Sequence, residues 1–233
     1  MSSGSSGAHR LLDHPARYGA ALRKRRRIRR LPPEPPFEDA FAFTVEQIGI
    51  TQKPDEIRWL FALVRELRPR VVLEIGLDEG GTFFLWSRAA PADARLIAID
   101  TRPPGRLGRW SPFQLVVHGF ASRDQRVDLL MSADSHERAT ISRIEQLTAG
   151  RPLDFLFIDG DHSYEGVRQD FAMYSPLVRP GGIVAFHDVA QETTPDTEGT
   201  ARFWREFSAE HTTEERVAGG EPGFGIGVYR VPA

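Results

Sequence analysis

The chain has 233 residues, of which 40% are hydrophobic, and its formal net charge is −2. That length suffices for one well-filled domain with an extension, and no segment has the roughly 20 apolar residues that a membrane-spanning helix needs. The absence of cysteine excludes disulfides, thiol catalysis and cysteine-ligated zinc, and is typical of a cytoplasmic protein, which we expect here.

The first 38 residues predict an arm outside the folded domain. Residues 1–7 form a tag-like Ser/Gly tract, seven of the eight residues 23–30 are basic, and four prolines follow between 32 and 36. This composition favours a disordered or extended arm, and it leaves the rest of the chain with a net charge of about −9. The arm could be a solvated tail, pack on another subunit of a homo-oligomer, associate with an anionic membrane or cell surface, or contact nucleic acid. The arginines have no interleaved aromatic residues, which speaks against a specific nucleic-acid partner.

Residues 39–233 show alternating helical and strand patterns. Apolar residues at three- and four-residue spacing predict a helix from 54 to 69. Apolar runs predict strands at 70–75, 95–100, 126–131, 154–158 and 182–187. Helices are predicted at 81–89, 137–149 and 164–178, each between two of these strands, and at 198–209 after the last of them. Two further strands, 213–218 and 225–231, are separated only by a loop containing Gly219, Gly220, Pro222 and Gly223. The pattern predicts an α/β fold with a doubly wound, mostly parallel seven-stranded sheet and an antiparallel last strand.

The first predicted strand ends in a glycine-containing turn. Gly76 allows a tight bend and Gly80 opens the next helix, while Asp100 ends the neighbouring strand, where a carboxylate suits ribose hydroxyls. A dinucleotide fold would need G-x-G-x-x-G, but Asp78 occupies the second glycine position. With Glu74 nearby, the acidic turn disfavours phosphate and favours a cationic adenosine cofactor that carries a sulfonium. Plain packing of a strand against a helix is the competing interpretation.

Two later segments end in carboxylates and histidines. One carries Asp159, Asp161 and His162, the other His187 and Asp188, and both follow predicted strands. Because ligands bind beyond the carboxyl ends of such strands, we expect these side chains to converge, where hard oxygen ligands with imidazole suit Mg²⁺, Mn²⁺ or Fe²⁺. Each residue has a simpler interpretation as a helix cap, loop anchor or hydrogen-bonded histidine. Two other histidines, at 118 and 136, are expected at the surface.

These segments, with E-x-G-x-x-x-G-G at residues 74–81, resemble class I S-adenosylmethionine-dependent methyltransferases with a Rossmann-like fold. Over about residues 45–231 the resemblance is to the metal-dependent macrolide-sugar O-methyltransferases and the cephalosporin hydroxylase-like family. The resemblance implies cofactor-binding roles for Glu74, Gly76, Gly80, Asp100, Asp134 and Ser135. It also implies His162 as general base, Asp159 as a catalytic residue and metal ligand, and His187 and Asp188 as the other ligands. His187 departs from the family pattern, which has a carboxylate there, so a softer metal or a metal-free site is an open alternative.

The sequence therefore predicts methyl transfer from S-adenosylmethionine, assisted by Mg²⁺, Mn²⁺ or Fe²⁺, to a hydroxyl of a sugar or glycosylated natural product. Residues 101–125 and 190–201, which follow strand ends, are expected to cover the acceptor. Two alternatives from other classes are a non-catalytic nucleotide-binding or regulatory module that docks through its basic arm, and an iron oxygenase. The acidic cofactor loop disfavours the oxygenase.

Overall fold

The computed structural model describes residues 6–103, 111–122, 124–191, 193–219 and 223–233, with side chains from residue 15 onward. Residues 1–5 of the tag-like tract, Gly220 and Pro222 of the last loop, and parts of both predicted acceptor loops lie outside this range. None of the helices in the described part has the length and apolarity that crossing a membrane requires.

In the described part of the chain, three helices precede the first strand, helices and strands then alternate, and two strands follow the last helix. The helices are α1 (Ser6–Ile28), α2 (Phe37–Gln47), α3 (Pro54–Leu67), α4 (Gly81–Ala89), α5 (Pro112–Val117), α6 (Arg138–Thr148), α7 (Tyr164–Tyr174) and α8 (Glu198–Glu210). The strands are β1 (Val71–Ile75), β2 (Arg95–Asp100), β3 (Arg126–Met131), β4 (Leu153–Ile158), β5 (Val178–His187), β6 (Thr213–Arg216) and β7 (Ile226–Arg230).

The strands form one seven-stranded sheet in the order β3-β2-β1-β4-β5-β7-β6. Strands β1 to β5 pair in parallel, and β7 is antiparallel to both β5 and β6. The predicted doubly wound, Rossmann-like sheet with an antiparallel last strand is confirmed. Its strand order reverses between β1 and β4, which opens a crevice at their carboxyl ends.

Both faces of the sheet are covered, so the central strands are apolar on both sides. Helices α1 to α5 contribute to the core on one face, where Trp86 packs edge-on against Phe155 and Phe157. Helices α6 to α8 contribute to the other face, where Phe186 contacts Trp204. The sheet is therefore packed between two cores of large side chains.

The prediction of a disordered or extended arm is wrong for residues 6–28, which form α1. Ala21 and Ile28 are buried at a seven-residue spacing on one helix face, and α1 packs on α5. The average composition of the arm concealed this apolar stripe. Helices α2 and α5 were not predicted, and α7 ends at Tyr174 because a 3₁₀ turn at Ser175–Leu177 leads directly into β5.

Candidate functional site

A cavity of about 580 Å³ opens at the carboxyl ends of β1, β2, β3 and β4. Its walls come from residues 49–52, 75–82, 99–102, 133–136 and 159–162. This is the crevice that the strand order creates, so the cavity occupies the usual ligand position of an open α/β sheet.

Gly76 brings the β1 loop against the β4 loop. Its φ is +89°, and a Cβ at this position would lie 1.9 Å from the carbonyl oxygen of Asp159. The contact is supported by the Asp159 amide, which donates to the carbonyl of Ile75 at 2.8 Å. Only glycine meets both the backbone conformation and the spacing, so Gly76 connects the predicted cofactor loop with the predicted catalytic segment.

Asp100 lines the cavity and shapes the loop beside it. One carboxylate oxygen accepts from the amides of Leu77 and Asp78 at 3.0 and 3.2 Å, and the other accepts from the Arg102 amide at 2.6 Å. The Arg102 guanidinium closes the loop with an ion pair to Asp78 at 3.1 Å. Asp100 therefore fixes the turn that begins at Gly76.

Glu74 is fully buried and is not among the residues that line the cavity. It accepts a hydrogen bond from the Thr82 hydroxyl at 2.6 Å, and Thr82 does line the cavity. Burial raises the pKa of Glu74 well above its ordinary value, and the Thr82 hydrogen bond only partly opposes this. Glu74 supports the cavity from behind, and its predicted contact with a cofactor stays a prediction.

Asp134 and Ser135 line the opposite wall, together with His136. The Asp134 carboxylate accepts from the His136 amide at 2.8 Å, and the Tyr174 hydroxyl donates to the Ser135 carbonyl at 2.7 Å. The expectation that His136 is a surface residue is wrong, because its side chain is 22% exposed and faces the cavity. The position of the His136 side chain depends on the packing of α7 against the β3–α6 connection, and no local sequence motif indicates that packing.

Asp159, His162, His187 and Asp188 converge as the strand-end argument predicts. One Asp159 oxygen lies 3.1 Å from Nδ1 of His187 and 3.5 Å from Nε2 of His162. Asp188 lies 3.2 Å from Nδ1 of His187 and 3.4 Å from Nδ1 of His162. Two carboxylates and two imidazoles thus alternate around one point at the ends of β4 and β5.

The carboxylates and imidazoles of this cluster stabilise each other's charged forms. Burial opposes ionisation of Asp159, but His187 and His162 outweigh it and lower the pKa of that carboxyl. The hydrogen bond with Asp159 raises the pKa of His162 despite partial burial. Burial alone would lower the pKa of His187, yet Asp159 and Asp188 raise it to about 10, so this ring is an imidazolium at neutral pH.

The donor atoms fit a divalent cation. Asp159, His162 and Asp188 each offer one ligand atom, and the three atoms lie within 4.8 Å of one another. Two carboxylates with one imidazole are a donor set that hard and borderline divalent metals accept. The group of three that could hold a metal contains His162 and not the predicted ligand His187. His187 contacts both carboxylates through Nδ1. Its Nε2 is buried without a hydrogen-bond partner among the described residues.

Gln52 joins the cluster from a distant part of the chain. Its amide donates to the second oxygen of Asp159 at 2.9 Å, and the residue is 8% exposed. The contact spans 107 residues, so no sequence motif could have indicated it. Asp161 instead anchors the loop, since it accepts from the Ser163 amide at 2.9 Å.

A second cavity, of about 340 Å³, shares His162 with the first. It lies between the starts of α7 and α8 and is lined by Tyr164, Asp196, Glu198 and Arg202, among others. Gly199 lies so close to this loop that a Cβ would be 2.4 Å from the His162 carbonyl oxygen. His162 therefore faces two adjoining spaces, and the start of α8 holds its backbone.

Comparison with known proteins gives a family and a fold. The family model described as "Methyltransferase domain" matches residues 73–189, half of the chain, from β1 to just past β5. An uncharacterized protein of Sinorhizobium fredii, y4gI, is 27% identical over 150 residues, which is 63% of this chain. The chain spans only 16% and 24% of the lengths of the two curated relatives it matches.

Solved methyltransferases share the architecture. An O-methyltransferase from Bacillus cereus in complex with S-adenosylhomocysteine aligns with a TM-score of 0.57 and 19% identity, covering 87% of this chain and 93% of that one. The MycE methyltransferase of the mycinamycin biosynthetic pathway, in complex with Mg and S-adenosylhomocysteine, aligns with a TM-score of 0.51 and 20% identity over 72% of this chain and 41% of its own. At these identities the likeness shows the class I methyltransferase fold.

Proposed function

The chain belongs to the methyltransferase-domain family, and on that premise we propose that it transfers a methyl group from S-adenosylmethionine to a hydroxyl of a sugar or glycosylated natural product. The observation that carries the proposal is the position of His162, between the large cavity and the second cavity and beside Asp159. A base at that junction can reach a hydroxyl that approaches a cofactor from the other side.

The large cavity suits a cationic cofactor. Carboxylates of Asp78, Glu79, Asp100 and Asp134 belong to residues that line it. Among the described wall residues, Arg102 is the one basic residue apart from the histidines, and it is paired with Asp78. A sulfonium gains from this surplus of negative charge, whereas a pyrophosphate would be repelled. The complexes of the Bacillus cereus enzyme and MycE with S-adenosylhomocysteine support the same choice.

The reaction requires one displacement and one proton transfer. The acceptor oxygen forms a bond to the methyl carbon, the carbon–sulfur bond breaks, and its electron pair stays on sulfur to give S-adenosylhomocysteine. The hydroxyl proton passes to an imidazole nitrogen of His162, and Asp159 and Asp188 stabilise the resulting cation. Holding donor and acceptor in line is worth roughly 7–11 kcal/mol, so positioning supplies most of the acceleration.

A divalent cation would be held by Asp159 and Asp188, with an imidazole as a third ligand. When bound, it lowers the pKa of a coordinated hydroxyl. If His187 is the third ligand, the imidazolium must lose its proton, so metal binding releases about one proton per site. Calorimetric titration of Mg²⁺ and Mn²⁺ in buffers of different ionisation enthalpy measures that proton directly. Loss of metal affinity in His162→Ala would instead make His162 the ligand.

The acceptor is proposed to occupy the second cavity. Its described walls include residues 195, 196, 198 and 199 from the predicted acceptor loop. Carboxylate, phenol and guanidinium groups there offer several hydrogen bonds to a hydroxyl-rich molecule. A cytoplasmic location, supported by the absence of cysteine, and a homo-oligomeric state are further proposals.

The proposal is tested by methyl transfer with His162→Ala and Asp159→Asn, measured as S-adenosylhomocysteine released with a panel of glycosides. His211→Ala is the matched control, because His211 lies at the end of α8 and outside both cavities. We expect the site variants to lose about 100-fold or more of the rate and the control to lose none. Equal rates in the wild type, the two site variants and the control would show that His162 and Asp159 take no part in the reaction.

One observation favours the non-catalytic alternative. The basic residues between 23 and 30 occupy the last turns of α1 and the two positions after it. Among the described residues no acidic side chain forms a salt bridge with any of them. Such uncompensated charge suits docking on an anionic assembly. S-adenosylmethionine binding without turnover on any acceptor, together with salt-dependent association lost on replacing these arginines, would favour this alternative.

A further inference from the structure

Asp170 is a buried carboxylate that the proposed reaction does not use. It lies on α7 and is 0% exposed, and the Ser135 hydroxyl beside it favours its ionised form. Nε2 of His136 lies 3.3 Å from one Asp170 oxygen. A buried charge without such a partner is costly, so this ion pair has a reason to be present.

The His136 ring has acceptors on both sides. Its Nε2 lies 3.2 Å from the Gly166 carbonyl as well as near Asp170, and its Nδ1 lies 3.6 Å from the Asp134 carboxylate. A protonated ring can donate on both sides, whereas a neutral ring would leave one nitrogen lone pair facing an acceptor. The groups within reach of both ring nitrogens are therefore all acceptors.

The pair joins the cavity wall to α7. Asp134, Ser135 and His136 follow β3 and form that wall, and Tyr174 of α7 holds it at a second point through the Ser135 carbonyl. His136 is the side chain that reaches from the wall into the charged interior behind it. Loss of the ion pair would free this side of the wall while the Tyr174 contact remains.

We propose that His136 and Asp170 form an ion pair that positions the 134–136 wall for the cofactor, so that cofactor affinity falls when Asp170 is protonated. This inference rests on the proposed function, because it concerns binding of S-adenosylmethionine and its product in the same cavity. His136 and Asp170 are positioning residues here, and His136 also faces the cavity.

The sign of the pH effect follows from the groups around Asp170. Burial raises the pKa of Asp170 to about 6, the Ser135 hydroxyl and His136 oppose that rise, and Asp161 and Asp134 add to it. On its own helix, Tyr174 has a pKa raised above its ordinary range by burial and by Asp170, so it stays neutral. Asp170 is thus ionised above about pH 6 and becomes protonated below it.

The test is the dissociation constant of S-adenosylhomocysteine, measured by calorimetry from pH 5 to pH 8 for the wild type, Asp170→Asn, His136→Gln and the control His211→Gln. For one coupled proton, the wild-type constant should rise by up to about tenfold per pH unit below pH 6. Asp170→Asn and His136→Gln should bind S-adenosylhomocysteine about tenfold more weakly than the wild type at pH 7.5. Their dissociation constants should not show the wild-type rise below pH 6. Thermal unfolding verifies that each variant is folded. If Asp170→Asn does not fold, the comparison of His136→Gln with the wild type still decides the outcome.

A folded Asp170→Asn or His136→Gln protein with the wild-type constant and pH profile would overturn the inference. So would the same loss in His211→Gln, because that change is remote from the wall. Failure of the wild type to bind S-adenosylhomocysteine at any pH would refute the proposed function instead, so the two failures are distinguishable.

Discussion

Replacement of Gly76 by alanine should disrupt the junction of the cofactor loop and the catalytic segment. The new Cβ would lie 1.9 Å from the Asp159 carbonyl oxygen, 2.5 Å from its carbonyl carbon and 2.9 Å from Cα of Gly160. All three are backbone atoms of the adjoining β4 loop, so no side-chain rotation relieves the clash. The β1 and β4 loops must separate, and Asp159 moves with them.

The magnitude follows from two contributions. A non-glycine residue at φ +89° costs roughly 1–2 kcal/mol, and forcing extra volume into a packed site costs typically 1–3 kcal/mol more. We expect Gly76→Ala to lower the free energy of unfolding by about 2–5 kcal/mol. Gly150→Ala isolates the first contribution, because Gly150 has φ +71° and no atom within 4 Å of a built Cβ. That variant should lose only about 1–2 kcal/mol.

Urea denaturation measures both losses, and each kcal/mol should also shift Tm by roughly 2–4 °C in a protein of this size. Calorimetry with S-adenosylhomocysteine provides the functional measurement. We expect Gly76→Ala to lose binding even where it is folded, and Gly150→Ala to keep it. Equal destabilisation of the two variants, or unchanged binding by Gly76→Ala, would refute the argument that this glycine joins the loop to the site.

Three further predictions concern buried polar contacts. Gln52→Leu removes the amide that orients Asp159. Because hydrogen bonds to charged groups are worth about 1.5–3 kcal/mol, kcat/KM should fall roughly 10- to 100-fold while the protein stays folded. An unchanged kcat/KM would contradict this prediction. Since the folded pKa of His187 is raised to about 10, its charge stabilises the fold fully below about pH 6.5, the ordinary histidine value, and this stabilisation is lost as pH rises through about 10. With chelator present, His187→Gln should flatten that decline in denaturant unfolding between pH 6.5 and 10, and a decline equal to the wild type's would count against it. Thr82→Val leaves buried Glu74 without its donor and should cost about 1–3 kcal/mol in the same assay, whereas a neutral change would show that the hydrogen bond contributes nothing.

The fold was predictable because its signals are local. Apolar runs such as 71–75 and 154–158 became buried strands, and the absence of a helix between 213 and 231 indicated the antiparallel hairpin. The strand-end rule then brought Asp159 and Asp188 together without any tertiary information. These inferences use only chain periodicity and the geometry of parallel sheets.

The rest depends on contacts between distant segments. Gln52 reaches Asp159 through the α2–α3 connection, and His136 reaches Asp170 through the packing of α7, neither of which has a motif. Helix α1 was missed because composition averages over its apolar stripe. The relative roles of His162 and His187 depend on which ring nitrogen faces which carboxylate, and the order of residues along a strand cannot specify that.

Titration of the purified wild-type protein with S-adenosylhomocysteine by calorimetry shows whether the cavity at the ends of β1 to β4 binds the methyltransferase cofactor. We expect a single site with a dissociation constant of about 1–100 μM, corresponding to a binding free energy of about −5 to −8 kcal/mol. We expect no comparable binding of NAD, whose pyrophosphate the acidic loop repels. Tight binding of NAD with no binding of S-adenosylhomocysteine would contradict both expectations.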